Sequence, residues 1–306
     1  MRTFTKNSAL LLMTLPGLLL LIAFHYLPIG GILIAFKNFR YSGGSFFTNF
    51  QNSPWVGFKN FEFFLKAPDA FLITRNTVVY NLIFIALGSL IALFLAIALN
   101  EIRNRRLAKV YQTTILLPYF LSWIAVSYLF YGFLSVDKGI INQLILQPLG
   151  IDAVQWYSDT KYWPYILVFT NIWKYAGYNC IVYLASITGI AHEYYEAAAL
   201  DGASKWQQIR HITIPSISTV ITLLVLLGIG RMFFADFGLF YQVPMNSGAL
   251  FDVTNVIDTY VFRALMNSGD IGMSSAASTF QAFVGFIFVL LSNYVVRKID
   301  KDKAIF

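Results

Sequence analysis

Apolar residues run along the chain in six long stretches, near residues 10–36, 77–99, 110–133, 163–187, 217–237 and 276–296, with shorter polar segments between them. At about 1.5 Å per residue, each stretch can cross roughly 30 Å of hydrocarbon as a helix. The third and fourth are interrupted by Pro118, Ser122, Asn171, Lys174 and Asn179. Spanning helices carry such residues where they pack on neighbours or line a wet cavity. The pattern predicts an all-α integral membrane protein of six transmembrane helices, in one domain over residues 1–306 and without repeats or flexible linkers.

Composition supports lipid as the solvent. Of 306 residues, 58% are hydrophobic and 12% charged, whereas soluble domains carry about a quarter charged residues. The formal charge of +7 is distributed for orientation rather than for nucleic acid. Arg2 and Lys6 precede the first stretch, and Arg103, Arg105, Arg106 and Lys109 crowd NEIRNRRLAK. Lys205 and Arg210 lie between the fourth and fifth stretches, and Arg297, Lys298, Lys301 and Lys303 close the chain. Alternating spans put all of these on one side, which places both termini in the cytoplasm. The first stretch is too long for a signal peptide and lacks a small-residue cleavage site, so it reads as a retained helix.

Three loops then face outward, near residues 37–76, 134–162 and 238–275. The first contains WVGFKNFEFFL, where Trp55, Phe58, Phe61, Phe63 and Phe64 alternate with Lys59, Asn60 and Glu62. This mixture suits an amphipathic helix at the interface, serving either as a plain cap or for docking. The third contains QVPMNSGALFDVTN and NSGDIGMSS, turn-rich and polar enough to receive an extracellular binding protein.

The longest polar interruption, EYYEAAALDGASKWQQIRHITIPSI, falls on the cytoplasmic side, within a loop at residues 188–216. Alanine and glutamate favour a helix over His192 to Leu200, with Glu193, Glu196 and Leu200 on one face. Gly202 ends it at a left-handed turn. Residues 203–211 form a second short helix presenting Trp206, Ile209 and Arg210, and Pro215 suits the first turn of the next span. A rigid helix–turn–helix between two spans is built to transmit force.

Glu196-Ala197-Ala198, three residues, Gly202, nine residues, Ile212, one residue, Ile214, Pro215 resembles the EAA loop of ABC-importer permeases, EAA-x3-G-x9-I-x-L-P; Ile214 is the one departure. The resemblance implies the type I importer permease fold, with coupling helices seated in a cleft of an ATP-hydrolysing subunit. Glu196 would make a polar contact there, Gly202 the turn at the tip, and Ala197, Ala198 and Asp201 the packing around it. NIWKYAGYNCIVYLASITGI, residues 236–278 and LLSNYVVRKIDKD are similar to the carbohydrate branch related to the MalF subunit, in particular its LplB-like oligosaccharide permeases. The large external domain and additional N-terminal helices of that subunit are lacking. The implied partners are a second permease, two ATPase copies that bind ATP and Mg, and an extracellular solute-binding protein. The implied location is the bacterial cytoplasmic membrane, with no cofactor in this chain.

Charged groups inside spans mark a cavity or a partner. Lys174, Tyr175 and Tyr178 share a face of the fourth stretch, and Arg231, Met232 and Asp236 stand in the fifth. Polar groups for hydroxyls and aromatic rings for sugar faces make both sets candidates for the substrate path. A structural ion-pair network, or contact with the second permease, is the alternative for the three charges.

Catalytic signals are lacking. The sequence has no phosphate-binding G-x-x-x-x-G-K-[ST], no nucleophile elbow, and His25, His192 and His211 are scattered without metal-ligand spacing. The single cysteine, Cys180, reads as a small buried hydrophobe. A transport subunit without an active site of its own is the expectation. An ABC permease for a non-sugar solute and an ion-driven transporter are the alternatives.

Overall fold

The computed structural model describes residues 8–304; Arg2 and Lys6 lie outside them. Among the described residues every regular element is helical, and the only β pairing is an isolated bridge between Lys37 and Trp55. Two compact units divide the chain, one of residues up to Ala70 with Val261–Ala282, the other of Phe71–Tyr260 with residues from Phe283 onward.

In the first unit, α1 (Ser8–Leu21) continues as a π-helical turn over Ile22–Tyr26 and a 3-10 stretch over Leu27–Phe36. The apolar length Leu12–Phe36 is sufficient for a span. After α2 (Phe46–Asn52), Gly57–Phe61 is a 3-10 turn and α3 covers only Phe63–Lys66. WVGFKNFEFFL is therefore not one amphipathic helix. Asn60 turns inward, its amide donating to the carbonyls of Ala35 at 2.9 Å and Lys37 at 2.8 Å. Lys37 is buried, donates to the Phe50 carbonyl at 2.6 Å and lies over the rings of Phe50 and Trp55. Phe64 packs on Phe280 with centroids 4.2 Å apart. These contacts make the segment a tied cap.

The second unit, from Phe71, holds nearly all of α4 (Ala70–Asn100), long and apolar enough to span. Next come α5 (Arg105–Phe120) and α6 (Trp123–Leu134), bent by 99° at their junction. Ser122 causes the restart, its hydroxyl capping α6 by accepting from the Ala125 amide at 3.2 Å. α7 (Trp163–Thr188) is unbroken. α8 (His192–Leu200) and α9 (Lys205–Ser216) form the polar loop, and α10 (Ser218–Gly230) leaves α9 at a 60° bend. Pro215 lies just before that bend, not in the first turn of α10. Short α11 (Phe251–Thr254) precedes α12 (Ile257–Ser268) and α13 (Ile271–Ile299).

Among the described residues, three helices are apolar enough to span alone, and two bent pairs raise the number to as many as five. The remaining predicted span, α7, has the length, but Thr170, Asn171, Lys174 and Asn179 make it more polar; the first three are buried.

Packing in this unit relies on small residues, as is usual where no water drives helices together. Ala92 and Ala96 of α4 are fully buried against Cys180, Tyr183, Leu184 and Ile187 of α7, so Cys180 is a buried hydrophobe. At Gly177, a Cβ would stand 1.9 Å from the carbonyl oxygen of Ile115, so only glycine admits this approach of α5. A second cluster packs Tyr80, Val126, Trp163 and Leu167 against Leu239, Phe240 and Val243.

Candidate functional site: an aromatic cluster beside α7 and a polar helix–turn–helix

Three pieces of chain meet beside α7. The Tyr175 hydroxyl donates to Asp236 Oδ2 at 2.6 Å, and Asp236 Oδ1 accepts the amides of Gly238 at 3.0 Å and Leu239 at 3.3 Å. Asp236 thus caps the turn that follows α10 while reaching α7. One helical turn along, Tyr178 is 46% exposed and stacks on Tyr119 of α5, with centroids 4.7 Å apart and planes 14° from parallel. Tyr119 and Trp123 also meet the Tyr175 ring edge-on, at 6.1 Å and 6.3 Å.

Of the six substrate-path candidates, this arrangement joins Tyr175, Tyr178 and Asp236. Lys174 is adjacent but buried, donating to the carbonyls of Pro118, Tyr119 and Leu121. Met232 is buried as well, and its carbonyl accepts from Asn81 at 3.0 Å. Arg231 is exposed at the end of α10 and meets none of the others. No ion pair among the described residues joins Lys174, Arg231 and Asp236. Sequence reasoning missed Tyr119, Trp123 and Asn81. The signal for the first two was Pro118 and Ser122, which mark the break between α5 and α6.

In the polar loop, no residue of α8 is buried. Its end is closed by the Asp201, Gly202 and Ala203 amides, which donate to Ala197, Ala199 and Ala198. Gly202 has φ +78°, the left-handed conformation that glycine adopts without strain. Ser204 and Gln207 form a capping box on α9. The Tyr195 hydroxyl bonds Thr213 Oγ1 at 2.9 Å, and Lys205 pairs with Glu101 at 3.1 Å. Leu200 and Trp206, 89% and 68% exposed, stand on this surface with Glu193, Glu196, Ala197 and Arg210, while Ala198 and Ile212 are half-buried.

The loop between α10 and α12 is pinned too. Asn76 donates to the carbonyls of Asp252 and Asn255 at 3.0 Å, and Ser247 to that of Tyr157 at 2.8 Å. Just before Ser247, Met245 and Asn246 take positive φ of 55° and 47°.

The family of binding-protein-dependent transport system inner membrane components matches residues 85–302, which include α7, the polar loop and Asp236. The chain belongs to this family. Full-length relatives of the family member agree. It is 35% identical to protein LplB of Bacillus subtilis over 303 residues, 99% of this chain and 92% of that one. It is 34% identical to the polygalacturonan/rhamnogalacturonan transport system permease protein YteP of the same organism, covering 97% and 90%. Its fold is similar to a chain in the crystal structure of a bacterial ABC transporter involved in import of the acidic polysaccharide alginate, with TM-score 0.86, 29% identity and 98% of each chain covered. The permease is thus a membrane component of a transport system.

Proposed function

We propose that the permease carries oligosaccharides inward, as one of two related permeases enclosing the path, powered by two copies of a separate ATPase that bind ATP and Mg. Six crossings are proposed, α7 and the two bent pairs included, as one domain with both termini in the cytoplasm of a bacterial cell. The observation that carries the reading is the polar loop: its EAA-like residues lie on a capped, glycine-turned helix pair with no buried residue in α8. A stiff element held only at its base suits docking into a cleft. Glu196, Ala197, Ala198, Asp201 and Gly202 form the docking end, and Ile212 and Pro215 the root.

Closure of the ATPase around ATP would move this pair as a lever, turning the cavity from inward- to outward-facing. Sugar released by an extracellular binding protein then enters, and hydrolysis resets the cavity. Tyr119, Tyr175 and Tyr178 offer rings to sugar faces, and Asp236 offers acceptors to hydroxyls. Relatives that name polygalacturonan and alginate support a saccharide cargo. Detergent purification tests the assembly. A stoichiometric ATPase should co-purify and be lost from a Glu196→Lys variant. Ion-gradient-driven uptake by this chain alone overturns the reading.

A further inference from the structure

An ammonium within a membrane span needs a compensating partner, and Lys174 finds it in backbone rather than in a carboxylate. Its three N–H donors serve the carbonyls of Pro118, Tyr119 and Leu121, all at the break between α5 and α6. The last carbonyls of a helix lack intrahelical donors and form its negative end, so a cation there is well placed. The ring of Trp123, first residue of α6, lies 5.0 Å from the ammonium and covers it. With 4% exposure, the side chain is closed to solute.

Two further contacts lie on the same face of α7, at i+3 and i+4. Gly177 admits the backbone of α5 at Ile115, and Tyr178 stacks on Tyr119. Residues 174, 177 and 178 thus grip α5 and its end at positions between 115 and 121. Only the last contact lies at an exposed ring.

We propose that Lys174 is a positioning residue: by clamping the carbonyl end of α5 it fixes the 99° break and holds Tyr119 against Tyr178, without touching cargo itself. The lysine suits this purpose by its reach, since a long flexible stem must deliver three donors to one point. The inference depends on the proposed function only for the statement that Tyr119 and Tyr178 face cargo.

The test reads the position of Tyr119 and requires no cargo. Tyr119→Cys is introduced into the full chain with Cys180→Ala, and its labelling by N-ethylmaleimide is followed in membranes. Thr113→Cys, on α5 before the break, is the control. Lys174→Met should raise labelling at position 119 at least fivefold and at position 113 by less than twofold, and Lys174→Arg should restore most of the protection. Unchanged labelling at 119, or an equal rise at both positions, overturns the proposal; the latter would mean general loosening. If Lys174→Met does not accumulate, Lys174→Gln, with two amide donors, is read by the same criteria. Failure of the oligosaccharide reading would leave these labelling ratios intact.

Discussion

Gly177 decides how closely α5 approaches α7. A methyl group there would sit 1.9 Å from a backbone oxygen, an atom that cannot swing aside as a side-chain tip can. Overpacking of this kind costs about 1–3 kcal/mol or more. Gly177→Ala is therefore expected to lower the melting temperature of the purified complex by several degrees; a melt matching the parent would refute this contact. The neighbouring tyrosines separate stability from transport. Tyr175→Phe removes a hydrogen bond to the Asp236 carboxylate, worth about 1.5–3 kcal/mol, and should reduce stability. Tyr178→Ala removes a half-exposed stacked ring, whose geometry contributes about 0.5–1.5 kcal/mol. It should leave the melt within a few degrees while oligosaccharide uptake falls at least tenfold. Normal uptake by a fully assembled Tyr178→Ala complex would remove this ring from the path.

At the scale of elements, α8 and α9 act together because both sides of their turn are capped. Gly202 carries the turn at φ +78°, where an L side chain costs about 1–2 kcal/mol. Gly202→Val should preserve membrane insertion yet reduce cargo-stimulated ATPase several-fold; full stimulation in that variant would show that the turn does not transmit. This helix pair was legible in the sequence since glycine, alanine and capping residues act locally. The apolar elements themselves were legible, but their ends were not: α4 starts at Ala70 rather than 77, and α10 ends at Gly230 rather than 237. The sharp break between α5 and α6 was not, although Pro118 and Ser122 stood in view, because its angle depends on Lys174 some fifty residues later. WVGFKNFEFFL misled likewise: its alternation was real, but Asn60 answers carbonyls in a distant stretch rather than solvent. The aromatic cluster was half legible. Spacing put Tyr175 and Tyr178 on one face, whereas Tyr119 reaches them only through folding.

For the whole molecule, the distribution of basic residues predicts an orientation that a membrane-impermeant thiol reagent can test. In a Cys180→Ala background, Lys161→Cys should label from outside intact cells and Arg210→Cys only after permeabilisation. The reverse pattern would invert the protein.

The buried ammonium of α7 also bears on how the chain enters the bilayer during synthesis. A lysine near the centre of a span costs about 2.5–3.5 kcal/mol at the translocon, and α7 has no long apolar surplus to offset it. The carbonyls that accept its hydrogen bonds belong to the end of α5 and to Leu121 just after it, which emerge from the ribosome first. Integration of α7 thus depends on a receptor already in the membrane. A nascent chain ending near residue 190 should integrate this helix, whereas one lacking residues 105–134 should leave it outside the bilayer, as glycosylation-site mapping would register. On the proposed six-crossing topology, the order in which the helices are translated is part of what makes α7 a span at all.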